Sequence, residues 1–154
     1  MPTCGTPRRS WKRSSPTFGP VARLTPDALA VAVLDTDAAS RLQKGQLTRA
    51  VSESLVGVTI ALSFVTVGEL LKWAEVRSWG APRRAELDRW LSPIPVVPVD
   101  REVCSQWAKL AAAAERRGRP RPVNDMWVAA CCLAADVPLA TYNRADFDDR
   151  TNHT

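Results

Sequence analysis

The segment from Ala28 to Leu34, ALAVAVL, carries no polar side chain at either phase of its alternation. A strand with one wet face alternates apolar with polar residues. One that is apolar at every position must be covered on both faces, the condition of a parallel strand lying between two layers of helices. VTIALS, from Val58 to Ser63, predicts a second strand, and Pro95 to Val99 and Pro138 to Thr141 predict two short ones. Between them the pattern predicts helices within DAASRLQKG and QLTRAVSES, from Val65 to Trp79 ending at Gly80, from Arg83 to Leu91, from Arg101 to Arg117 closed by Gly118, and from Asp125 to Ala135. Strands alternating with helices define an α/β chain with a parallel sheet, and 154 residues suit a single domain.

Charge is distributed unevenly. The chain has a net charge of +5, and Arg8, Arg9, Lys12, Arg13 and Arg23 supply a balance of that size before the first acid, Asp27. The remainder is neutral, so the basicity belongs to a leading segment rather than to the domain. Residues 1–26, rich in Pro, Ser and Thr with no apolar period, read as a disordered basic extension, and 27–154 as the domain. The Arg8-Arg9 pair is followed by no apolar core of the kind that an export signal needs. The longest apolar run, Met126 to Ala135, is too short to cross a bilayer, so no membrane partner is expected.

Residue counts exclude several chemistries. Cys4, Cys104, Cys131 and Cys132 show no CxxC spacing, which argues against a zinc ribbon or a redox pair. They read as reduced core filling, in keeping with a cytoplasmic location. The single histidine, His153, leaves no basis for a Ser-His-Asp triad or a two-histidine nuclease.

What remains is acidic. Asp35 follows the first strand, Glu69 lies soon after the second, Asp125 opens the helix before the fourth, and Asp146 comes soon after the fourth. Each has an ordinary structural use: Asp35 as a helix cap, Glu69 as the acid of a Thr66-x-x-Glu69 capping box, Asp125 as a complement to a helix dipole, and Asp146 in a local cap with Asn143. Residues after successive parallel strands nevertheless converge on one rim of the sheet, where ligands of such folds bind. Four carboxylates on one rim repel one another unless a cation neutralises them. Oxygen donors alone suit Mg²⁺ or Mn²⁺, and such a cation at a phosphodiester supplies the means of hydrolysis.

LDTDAAS at Leu34, SFVTVGELL at Ser63, RPRPVNDMWVAACCLA at Arg119 and LATYNRADF at Leu139, in that order, make the chain resemble a PIN-domain ribonuclease of the VapC toxin type, from about Val31 to Phe147. The resemblance implies a Rossmann-like sheet with helices on both faces and a Mg²⁺- or Mn²⁺-dependent endoribonuclease. It makes Asp35, Glu69, Asp125 and Asp146 the catalytic and metal-binding acids, with Thr36 and Asn143 as supporting polar residues. It further implies a cognate VapB-type antitoxin covering the site, and a homodimer. Such chains continue past the Asp-Phe pair into a last hydrophobic strand, whereas DDRTNHT is polar throughout, so a sheet of about four strands without that edge strand is expected. Arg116, Arg117, Arg119 and Arg121, just before Asp125, are placed to meet RNA phosphates.

Two other readings compete. A shortened toxin that grips its antitoxin without cutting RNA would keep the fold and lose the activity. A haloacid-dehalogenase-like phosphatase would use Asp35-Thr36-Asp37 as a nucleophile loop, although Lys44, Lys72 and Lys109 are poorly placed for its phosphate-binding lysine.

Overall fold

The computed structural model describes residues 30–142. The leading extension, Asn143, Asp146 and the region of the expected missing strand lie outside the described residues.

Strands β1 (Ala30–Leu34), β2 (Val58–Ser63), β3 (Val96–Val97) and β4 (Leu139–Ala140) form one parallel sheet in the order β3-β2-β1-β4. Six helices connect them: α1 (Thr36–Gln43), α2 (Arg49–Ser54), α3 (Phe64–Val76), α4 (Ala81–Leu91), α5 (Arg101–Arg116) and α6 (Val123–Ala135). β1 pairs with β2 along its whole length, from Ala30 opposite Val58 to Leu34 opposite Leu62. The chain then winds outward to β3 and returns to the other side of β1 for β4. The turning point of the topology therefore falls at β1, between β2 and β4.

Alternation along β1 and β2 sends Leu34 and Leu62 to one face and Val33 and Ala61 to the other, and all four are buried. Leu34 and Leu62 pack with Ala38 and Ala39 of α1, Leu70 and Ala74 of α3, and Leu87 of α4. Val33 and Ala61 pack with Val128 and Cys132 of α6 and with Val137. α5 lies on α6 through Val103, Ala130 and Cys131, and the Trp107 and Trp127 rings stack with centroids 4.8 Å apart. Helices on both faces of an apolar parallel sheet is the expected α/β arrangement. Among the described residues no helix is long and apolar enough to cross a membrane.

Three details differ from the sequence expectation. The outer strands shrink to two residues each: Pro95 and Pro98 bracket β3 and Pro138 precedes β4, and a proline has no amide to give a ladder. The Pro95 and Pro138 carbonyls still accept from the amides of Leu62 and Val33, both at 2.9 Å. Cys104 faces solvent on α5, unlike Cys131 and Cys132. Burial pushes the thiols of that buried pair up, Cys131 to about 11, as fits inert core positions. Finally, α3 starts at Phe64 and α6 at Val123, earlier than periodicity indicated, and the first of these shifts changes the meaning of Glu69.

Candidate active site

β1 ends at Leu34, and the next residue, Asp35, is the N-cap of α1: its Oδ1 accepts from the Ala38 amide at 2.8 Å. The Asp35 amide in turn donates to the Ala140 carbonyl at 3.2 Å, so the backbone of β4 grips β1 at this point. Only 8% of Asp35 is exposed. Its second oxygen, Oδ2, accepts a short hydrogen bond from the Thr141 hydroxyl, just past β4. Burial pushes the Asp35 carboxyl above its ordinary range. The negative charges of Asp37 and Glu69 add to that, and the hydrogen bonds from Thr141 and the Ala38 amide partly oppose it.

The second acid stands on α3. Ser63 closes β2 and caps the helix itself, its Oγ accepting from the Thr66 amide at 3.0 Å, while the buried Thr66 hydroxyl reaches Ser63 Oγ at 3.0 Å and the Leu34 carbonyl at 3.4 Å. With the cap at Ser63, Glu69 lies in the second turn and completes no capping box. The strand's own terminal serine has taken that role. Glu69 reaches across the rim instead. Oε2 accepts a short hydrogen bond from the Thr36 hydroxyl on α1, and Oε1 accepts from Asn124 Nδ2 on α6 at 2.7 Å.

Asp35 with Thr141, and Glu69 with Thr36 and Asn124, thus form two hydrogen-bonded groups side by side, drawn from the ends of β1 and β4, the first turns of α1 and α6 and the second turn of α3. They sit at the carboxyl edge of the sheet, where the topology reverses. Asp125 is half-buried in the first turn of α6, next to Asn124. Among the described residues no three acid, cysteine or histidine side chains form a group able to hold a metal ion by themselves. Asp146, the remaining acid of the expected quartet, lies outside the described residues.

Arg116 ends α5, Arg117 caps it, and Gly118 turns the chain at φ +63°, a conformation that favours glycine, so that Arg119 and Arg121 lead directly into α6. The basic segment is therefore the lead-in to Asn124 and Asp125. Sequence patterns missed Thr141 and Asn124 as members of the site. The Asn-Asp pair at the start of an apolar helix was the available signal for Asn124.

Residues 32–151 match the PIN domain. The chain belongs to the PIN-domain family. Among curated relatives of this PIN-domain chain are ribonuclease VapC5 of Mycobacterium tuberculosis, 30% identical over 73% of this chain and 82% of that one, and ribonuclease VapC1 of Haemophilus influenzae, 27% identical over 78% and 92%. Among solved structures it resembles VapBC-1 of nontypeable Haemophilus influenzae, with 26% identity, a TM-score of 0.66 and coverage of 76% of this chain and 90% of that one. It also resembles VapBC-5 of Mycobacterium tuberculosis, described as a member of a family of toxin-antitoxin systems, with 25% identity, a TM-score of 0.57 and coverage of 79% and 94%. The VapC-type resemblance read from four short segments holds along the described domain, and membership of the PIN family sets the phosphatase reading aside.

Proposed function

We propose that this PIN-domain chain is an endoribonuclease toxin of the VapC type, dependent on Mg²⁺ or Mn²⁺ and held in check by a VapB-type antitoxin. The observation that carries the reading is the convergence of Asp35 and Glu69 at the sheet's turning point, where, among the described residues, their hydrogen bonds come from hydroxyls and amides. Two carboxylates brought close together attract a hard cation. Mg²⁺ characteristically takes one or two carboxylates and fills its remaining positions with water and phosphate oxygens. The donor set, all oxygen, fits such an ion. Asp35 and Glu69 would hold it, with Asp125 and Asp146 as the further catalytic and metal-binding acids.

When bound, the ion supplies a water of lowered pKa and neutralises charge developing on the scissile phosphate. The protein's own part is placement. Thr36 and Thr141 fix the acids, Asn143 joins them as a supporting polar residue, and Arg116, Arg117, Arg119 and Arg121 draw flanking RNA phosphates toward the start of α6. The reading further includes a homodimer working in the cytoplasm, and the VapBC complexes among its structural relatives support an antitoxin partner.

The test is cleavage of RNA by the purified chain with Mg²⁺, with and without chelator, beside the Asp125→Asn variant. Asn keeps the size and helix-starting capacity of Asp and removes the charge that a hard cation needs. The wild-type chain cuts RNA and is silenced by chelator, and the folded variant does not cut and binds Mn²⁺ more weakly in titration calorimetry. Metal-dependent cleavage by Asp125→Asn at the wild-type rate overturns the role given to Asp125. A folded wild-type chain that cuts no RNA but binds antitoxin favours the inactive binding module instead.

A further inference from the structure

We propose that Asn124 is a positioning residue for Glu69, a neutral latch that holds a mobile carboxylate on the rim. The inference rests on the metal-dependent nuclease reading above and adds to it a residue on α6.

A glutamate on the second turn of a helix has three rotatable bonds and water beside it, and the negative charge of Asp35 nearby favours its swinging away. In the structure it does not swing away. Its two oxygens are held by donors from two different elements, Thr36 on α1 and Asn124 on α6. The Asn124 contact spans 55 positions of sequence, so it exists only because α6 docks beside α3. Asn124 is exposed, and the helix caps of α1 and α3 are made without it, by Asp35 accepting from the Ala38 amide and Ser63 from the Thr66 amide.

Residue type matters here. A lysine at 124 would neutralise Glu69 and compete with a cation, and an aspartate would repel it. An amide donates without charge, so Glu69 is fixed without a countercharge being placed beside it. Groups that orient metal-binding carboxylates in this way are worth about 10- to 100-fold in metal affinity.

The experiment titrates Mn²⁺ alone, by calorimetry, into the full chain as wild type, Asn124→Ala, Glu69→Ala, the double variant Asn124→Ala/Glu69→Ala and Asp35→Asn, with thermal melts of each. Asn124→Ala melts with the wild type and binds Mn²⁺ about tenfold more weakly. The double variant binds no more weakly than Glu69→Ala, because Asn124 acts only through the carboxylate it holds. A plain structural role would move the melt, and a direct ligand would weaken binding further in the double variant; either result overturns the proposal. If Asp35→Asn and Glu69→Ala weaken Mn²⁺ binding while Asn124→Ala does not, the latch fails and the metal site stands. If Asp35→Asn, Glu69→Ala and Asn124→Ala all bind as the wild type does, or the wild type takes up no Mn²⁺, the metal site fails and the latch with it.

Discussion

Asp35 does two things that pull against each other: it caps α1, and it keeps a buried negative charge at the sheet edge. Its folded carboxyl titrates above the ordinary 3.8, so the stability attached to it is complete below that value and is lost as pH rises through the folded value. At neutral pH the ionised Asp35 is therefore a net cost to the metal-free fold. In Asp35→Asn the amide oxygen can still accept from Ala38, and the amide nitrogen can donate to the Thr141 hydroxyl in a reversal of the present bond. The variant should lose RNA cleavage and yet melt a few degrees higher than wild type at pH 7 without metal, with the gain shrinking toward zero below pH ~4. Melting curves across that range check both the sign and the pH at which it fades. Asp35 and Glu69 were legible in the sequence because an acid just after an apolar strand is a short-range pattern. Thr141 and Asn124 were not: each acts on a partner 106 or 55 positions away, and a threonine ending a strand looks like any other strand residue.

Between residues and domain, caps and connections decide where side chains arrive. Ser63 is fully buried, ends β2 and starts α3 with no intervening loop, which fixes the phase of the helix that presents Glu69. Ser63→Ala removes the cap and leaves the Thr66 hydroxyl with only its long bond to Leu34. A loss of about 1–2 kcal/mol in urea denaturation is expected, with a fall in cleavage beyond what the remaining folded fraction explains. The connection from α5 to α6 makes a different prediction. Replacing Arg116 or Arg119 by Gln should weaken RNA binding evenly across sequences and lower the slope of log affinity against log salt by about 1 for each arginine that meets a phosphate. Helix and strand order was readable from periodicity. The exact starts of α3 and α6 were not, because Ser63 and Pro122 set them through backbone geometry rather than through apolar spacing. The outer strands were overestimated because a β-branched run bounded by proline reads as a strand whether or not its amides can join a ladder.

At the scale of the molecule, the three packed clusters close around both faces of the sheet and, among the described residues, draw on side chains from Val31 to Tyr142. In the sequence the excess positive charge lies in residues 1–25. Removing residues 1–26 should leave the thermal transition in place and shift the isoelectric point toward neutrality. A clear drop in Tm would show that the leading segment is part of the fold.

The bond from Thr141 to Asp35 joins the two ends of the domain across 106 positions. A ribosome delivers Asp35 ahead of Thr141 by 106 positions, so the rim stays incomplete until that much more chain has been made. β1 has β2 beside it long before β4 exists, and until β4 arrives its other edge stays open. On the proposed nuclease reading this ordering has a protective side: a polypeptide stalled or released before residue 141 carries Asp35 and Glu69 but lacks the strand end that seats Asp35. The two carboxylates are thus made first, and the hydroxyl that seats one of them comes from a strand end made more than a hundred positions later.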